Sequence, residues 1–127
     1  MAECVLDASA VLALLANERG AEQVQAALGS AAISAVNLAE VLAKLGDRGV
    51  TEAEQRLIRV SLDVEVRSFD EHAAWRASSL RGTTRSHGLS IGDRACLALA
   101  LEEGLPVLTT DRAWSKLDVG VEVRPLR

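Results

Sequence analysis

The chain reads as an α/β protein whose mostly parallel central sheet is covered by helices on both faces. Three observations predict this. Short apolar runs rich in strand formers alternate with longer stretches of helical periodicity. No internal repeat or low-complexity tract breaks that alternation. Four acidic residues, Asp7, Glu40, Asp93 and Asp111, fall where an apolar segment ends or a helix begins. Alternating strands and helices build parallel sheets buried on both faces, and such open sheets bind ligands outside the carboxyl ends of their strands. At 127 residues the chain fits one domain, residues 1–127, large enough to bury roughly two-thirds of its unfolded surface.

Glu3 to Leu6 form the first short strand, and Ala8 to Ala16, with Val11, Leu12, Leu14 and Leu15, continue as a helix after Asp7. This opening stretch has no basic segment ahead of it and is interrupted by Glu3 and Asp7, so it reads as strand and helix rather than as a secretion signal. A second helix spans Ala21 to Leu28, ended by Gly29, and Ala31 to Ser34 form the next strand. Leu38, Val41, Leu42 and Leu45 recur at i, i+3, i+4 and i+7, giving an apolar helical face that Gly46 terminates; Asn37, Glu40 and Lys44 project from a different face. Thr51 to Val60 open with a Thr-x-x-Glu capping box, Thr51 to Glu54. Val64 to Ser68 alternate like a strand, and Asp70 caps a helix through Leu80. Arg81 to Gly88 (RGTTRSHG) is polar and basic and reads as an exposed loop. Ser90 begins a helix to Glu103, Pro106 to Leu108 is a buried strand, and Thr110 or Asp111 starts a short helix. Val119 to Val123 is the last strand before an Arg-Pro-Leu-Arg tail. Trp75 and Trp114 read as packing residues.

An apolar fraction of 49% with 25% charged residues describes an ordinary soluble core, not a disordered or fibrous chain. Cys4 and Cys96 sit inside apolar runs and read as reduced core thiols. No apolar run approaches the roughly 20 residues that cross a bilayer, so no membrane association and a cytoplasmic location are expected. A net charge of −4 argues against a broad basic surface for nucleic acid. Phe69, Trp75 and Trp114 are the only aromatic residues of the Phe, Trp and Tyr set, which argues against a platform for stacking single-stranded bases. Charge does not exclude a nuclease. Removing the four acids from the balance leaves zero, and divalent cations would make such a site electropositive toward phosphate.

Each acid has an ordinary structural use. Asp7 and Asp111 suit helix N-caps, Glu40 and Lys44 form an i, i+4 pair in the favourable order, and Asp93 stands three residues after Ser90 in a variant capping box. Taken together, with Ser9, Asn37 and Thr109 beside them, they describe an oxygen-rich pocket of the kind that suits Mg²⁺ or Mn²⁺.

The segments VLDASAVLALL, SAVNLAEVLAKL, GLSIGDRACLALA and VLTTDRAW, in this order and spacing, resemble the PIN-domain ribonucleases, particularly the VapC-type toxins of bacterial toxin–antitoxin operons. The resemblance runs through essentially the whole chain. It implies a three-layer α/β/α sandwich, a homodimer, and an antitoxin that wraps the toxin and covers its site. It implies that Asp7, Glu40, Asp93 and Asp111 are a catalytic acidic quartet binding Mg²⁺ or Mn²⁺ for hydrolysis of RNA phosphodiester bonds, with Ser9, Asn37 and Thr109 in support. Asp7 and Asp93 are the firmest expected metal ligands, Asp111 a further ligand, and Glu40 the group that orients water or accepts its proton. Arg81, Arg85 and Arg112 are candidates for contact with the RNA backbone, as is His87, while Arg94 and Arg112 either meet phosphate or pair with acids inside the fold.

Two other readings compete. A receiver-like signalling module also carries an acidic Mg²⁺ pocket, but here only Asp7 and Asp70 fit its acids, and no Lys follows the late strand. A catalytically silent protein that keeps the fold and binds a partner is the other. His72 falls near the start of a helix and reads as solvated, and His87 lies in the basic stretch with no Asp or Glu at metal-ligand spacing, which makes histidine chemistry a poor rival.

Overall fold

The computed structural model describes residues 1–126. Its strands and helices alternate as β1 (Cys4–Leu6), α1 (Ala8–Leu15), α2 (Ala21–Ala27), β2 (Ala31–Ser34), α3 (Ala35–Asp47), α4 (Glu52–Ser61), β3 (Glu65–Arg67), α5 (Glu71–Ser79), α6 (Arg81–Thr84), α7 (Ile91–Glu103), β4 (Val107–Thr109) and β5 (Val123–Pro125). All four strand pairings are parallel, in the order β3-β2-β1-β4-β5. The chain therefore winds outward from β1 to β3, then crosses back to lay β4 on the other side of β1. That reversal leaves a crevice at the carboxyl ends of β1 and β4, the switch point where open α/β sheets bind ligands. A receiver module has the order 2-1-3-4-5, which this sheet does not share.

Strand β1 is apolar at every position because both of its faces are covered. Cys4 and Leu6 pack with Val11, Val24, Ile33, Val41 and Leu45 on one face; Val5 packs with Ala77, Cys96, Leu97, Val107 and Trp114 on the other. Helices on both faces make the expected three-layer α/β/α sandwich. Pairing of Leu6 with Leu108 places the next residues, Asp7 and Thr109, side by side at the carboxyl edge.

Local chemistry sets several boundaries. Asp70 Oδ1 accepts from the Ala73 N–H and starts α5; the Thr51–Glu54 box is formed in both directions and starts α4. Elsewhere the sequence expectation fails. Gly46 lies inside α3, which continues to Asp47; the left-handed residue after the helix is Gly49, at φ +86°. Arg81 to Gly88 is not a loop but a helical turn, α6, followed by a 3₁₀ turn at Arg85–His87. Thr83 and Thr84 hydroxyls both donate to the Leu80 carbonyl, and Thr84 is buried, which holds a polar stretch in helical form. The last strand is Val123–Pro125 rather than Val119 to Val123, because Gly120 at φ +79° breaks the extended run. Pro125, without an N–H, is tolerated on this edge strand. The expected tail therefore begins inside β5, and its Arg127 lies outside the described residues. Trp75 is 71% exposed with its Nε1–H on Glu71 Oε2, so it is a surface residue; Trp114 is buried as expected. Among the described residues, no helix is long and apolar enough to cross a membrane.

Candidate functional site

Asp7 ends β1 and begins α1, so its side chain is aimed by two elements at once. Oδ1 accepts from the Ala10 N–H at 2.9 Å and the Ser9 hydroxyl at 2.7 Å, and Oδ2 accepts from the Thr109 hydroxyl at 2.6 Å. The same Thr109 oxygen accepts from the Asp111 N–H, and the Ser9 oxygen from the Thr110 N–H, each at 3.0 Å. Two hydroxyls thus tie the end of β1 to the end of β4. Asp7 is 6% exposed. Burial pushes its carboxyl above the ordinary range and the negative charge of Asp93 adds to this, against the lowering effect of the three hydrogen bonds.

Glu40 does not pair with Lys44; among the described residues no ion pair joins them. Its Oε1 accepts from Asn37 Nδ2 at 2.8 Å, one turn earlier on α3, and the same amide donates to the Gly92 carbonyl at 3.0 Å. Asn37 is buried, and its Oδ1 has no partner among the described residues. The Glu40 carboxylate lies directly against the α-carbon of Gly92: a β-carbon there would sit 2.5 Å from both carboxylate oxygens. Gly92 therefore matters to the site although the sequence reading passed over it. One signal was present: a glycine in the first turn of an apolar helix is unfavourable by about 1 kcal/mol relative to Ala, which calls for a steric reason.

Asp93 is both a cap and a cleft residue. Its Oδ2 accepts from the Ser90 N–H at 3.0 Å while Ser90 Oγ accepts from the Asp93 N–H at 3.1 Å, so the capping box is formed. Asp111 likewise caps the 3₁₀ turn at Arg112–Lys116 through Oδ1 on the Ala113 N–H, at 3.0 Å. In both cases the other carboxylate oxygen carries no hydrogen bond from the described residues. The structural and functional uses assigned to these acids are thus compatible.

All four acids line one open cleft of about 440 Å³, together with Ser9, Asn37 and the buried Trp114. Thr109 lies beneath it, fully buried. Cys96, a buried core thiol, feels the same acids. Burial pushes this thiol well above its ordinary range, and the charges of Asp7, Asp93 and Glu40 push it further. Cys4 is also buried and raised, chiefly by burial.

Among the described residues, no three Asp, Glu, His or Cys side chains form a preformed metal-ligand group. The donor set nevertheless fits a hard cation. It is entirely oxygen, it leaves oxygens of Glu40, Asp93 and Asp111 free of hydrogen bonds from the described residues, and Mg²⁺ takes one or two carboxylates and keeps several waters. The basic candidates are divided. Arg81 and Arg85 line a separate cavity with Arg94, whereas Arg112 is exposed beside Asp111 and lines neither cavity. His72 is exposed, 3.3 Å from Glu102, and His87 is exposed on the 3₁₀ turn.

The PIN-domain family model matches residues 4–120 of the chain. None of the curated proteins matches it in sequence. Among solved structures, the chain is similar to a toxin–antitoxin complex from Klebsiella pneumoniae, at 21% identity over 98% of each chain with a TM-score of 0.75. It is similar to a DNA-bound VapBC from Salmonella typhimurium, at 18% identity over 100% of each chain with a TM-score of 0.73. VapBC-5 from Mycobacterium tuberculosis is 28% identical over 100% of this chain and 99% of that one, with a TM-score of 0.65.

Proposed function

Because this chain belongs to the PIN-domain family, we propose that it is a Mg²⁺- or Mn²⁺-dependent endoribonuclease and the toxin of a type II toxin–antitoxin pair. The observation that carries the reading is the meeting of Asp7, Glu40, Asp93 and Asp111 in one cleft at the switch point of the sheet. Asp7, Asp93 and Asp111 would hold the cation, with Glu40 at its edge. Once bound, the cation supplies Lewis-acid polarisation of a phosphoryl oxygen and eases deprotonation of water.

The protein's own residues do the rest. Ser9 and Thr109 fix both oxygens of Asp7 in one orientation, and Ser90 fixes one oxygen of Asp93. Asn37 holds Glu40 by Oε1, which leaves Oε2 free to take a proton from the attacking water. Four carboxylates facing one cleft repel RNA until a cation offsets their charge, so metal and substrate are expected to bind together. The toxin assignment is supported by the similar solved structures, which are described as toxin–antitoxin or VapBC complexes. A protein partner is further supported by α4, which buries none of its residues and exposes Leu57 at 72% and Val60 at 83%. A homodimer and a cognate antitoxin complete the proposal.

The test is cleavage of a mixed tRNA and rRNA pool with Mg²⁺ or Mn²⁺, beside EDTA and the Asp7→Asn and Asp93→Asn variants. Metal-dependent cutting lost in both folded variants is the expected result. Equal cutting by all three proteins would assign the activity to a contaminant. Antitoxin binding with no cutting of any RNA would favour the silent partner-binding protein.

A further inference from the structure

Between α6, the following 3₁₀ turn and the start of α7 lies a cavity of about 170 Å³, lined by Arg81, Thr84, Arg85, Gly88, Leu89 and Arg94. Three of these residues are arginines and none is acidic. Arg81 and Arg85 are exposed, whereas Arg94 is only 8% exposed. Arg94 Nη1 donates to the Ala77 carbonyl at 3.2 Å, and its buried Nε–H meets no acceptor among the described residues. A guanidinium stays charged and carries five donors, and a buried charge without a counter-charge is costly to the fold. The Ala77 carbonyl, in the last turn of α5, offers only the partial negative charge of a helix terminus. Position deepens the deficit, because the first turn of α7 favours anions over cations.

Arginines around the cavity between α5 and α7 are treated differently. Arg67 is held by Glu103 at 2.7 Å and Glu65 at 3.0 Å, and Arg76 by Glu102 at 2.7 Å. Among the described residues no carboxylate pairs with Arg81, Arg85 or Arg94.

We propose that this cavity binds a phosphate group, with Arg94 as the buried anchor and Arg81 and Arg85 as its exposed partners. The planar fork of arginine matches phosphate oxygens in pairs. Asp93 and Arg94 are consecutive on α7 and project about 100° apart, so the acidic cleft and the basic cavity flank one helical turn. An RNA strand with its scissile phosphate at the acids would present a neighbouring backbone phosphate to the cavity. That source of the phosphate rests on the nuclease reading; the cavity's charge deficit does not.

The test titrates inorganic phosphate into ¹⁵N-labelled protein. In parallel, it measures binding of a fluorescent single-stranded RNA across salt in EDTA, where cutting is suppressed. Phosphate is expected to shift the Arg94 Nε–H and the amides from Arg81 to Leu89 saturably. The Arg81→Gln/Arg85→Gln double variant leaves the buried anchor in place. It should weaken both ligands about tenfold and lower the slope of log K against log salt by about 0.7 per lost phosphate contact. Arg94→Lys, which keeps the charge without the fork, should weaken both as well. Absence of these shifts, or wild-type affinities in the double variant, would overturn the site. Weakened phosphate binding with unchanged RNA affinity would overturn the RNA assignment alone. Cleavage by the wild type in Mg²⁺ scores the nuclease reading separately: cutting with an unaffected double variant sinks only the phosphate site. Intact phosphate shifts without cutting sink only the nuclease.

Discussion

Gly92→Ala tests whether Glu40 acts from where Asn37 holds it. The added β-carbon would lie 2.5 Å from each Glu40 carboxylate oxygen and 2.6 Å from Cδ, where carbon and oxygen normally stay about 3.3–3.6 Å apart. The carboxylate must therefore retreat by about 1 Å, which breaks the 2.8 Å bond from Asn37. A hydrogen bond to a charged group is worth about 1.5–3 kcal/mol. Glu40 is half-buried and regains water on moving, so the lower end applies. Against this, Ala in place of a helical Gly gains about 0.5–1 kcal/mol. The net loss is about 0.5–1 kcal/mol, a fall in Tm of a few degrees. Catalysis is more sensitive, because a misplacement of about 1 Å can lower a rate about 100-fold. Single-turnover RNA cleavage and thermal unfolding on the same preparation separate the two effects. Adding Glu40→Ala should cost Gly92→Ala little further activity, since both remove one function. Wild-type cleavage at an unchanged Tm would refute the reasoning.

Asp7→Asn should abolish cleavage yet raise Tm at neutral pH, since Asn still caps α1 and the charge is lost from a buried position. The sign follows from the raised carboxyl of Asp7. The unfolded chain releases this proton first, near pH 4, so wild-type stability falls as pH rises from there through the higher folded value and is then level. The Tm gap between variant and wild type should open across that window; a constant gap would contradict it. Thr109→Val removes the donor to Asp7 Oδ2 and the acceptor for the Asp111 N–H. It should lower stability by about 1–3 kcal/mol in denaturant unfolding and move the acidic limb of the pH–rate profile upward, because that donor holds the Asp7 carboxyl down. Trp114→Ala should destabilise by about 3–5 kcal/mol, while Trp75→Ala, at a surface position, should stay within about 0.5 kcal/mol. Equal effects of the two tryptophan substitutions would contradict their placement.

What the sequence revealed depended on how local the governing chemistry is. Ala31 to Ser34 is a strand within the limits read from its apolar run, and Asp70, Ser90 and Thr51 start helices because a cap needs only its own next three residues. Asp7, Asp93 and Asp111 were legible together because each sits at the start of a helix or turn, whereas Glu40 lies inside α3 and was read from its helical face. The α6 turn was hidden because its composition is that of a loop, and the burial of Thr84 that supports it belongs to tertiary packing. Trp75 was misplaced because α5 offers little apolar periodicity, and packing chose Ala77 instead. The role of Gly92 depends on Glu40, distant in sequence. The sequence also posed capping and site membership as rivals for Asp93 and Asp111, whereas a carboxylate has two oxygens and can serve both.

The bond from Thr109 to Asp7 spans 102 positions of the chain, and that separation has a consequence for the order in which the protein comes into being. During synthesis the N-terminal segments emerge first, so Asp7 and Glu40 are available long before β4. Until the chain has grown past Thr109 and Asp111, β1 lacks its neighbour on that side, Asp7 Oδ2 has no donor, and the cleft has no far wall. A cell making this protein therefore meets the complete acidic cleft only after β4 has been made, and a nascent chain stalled before β4 should be inert toward RNA.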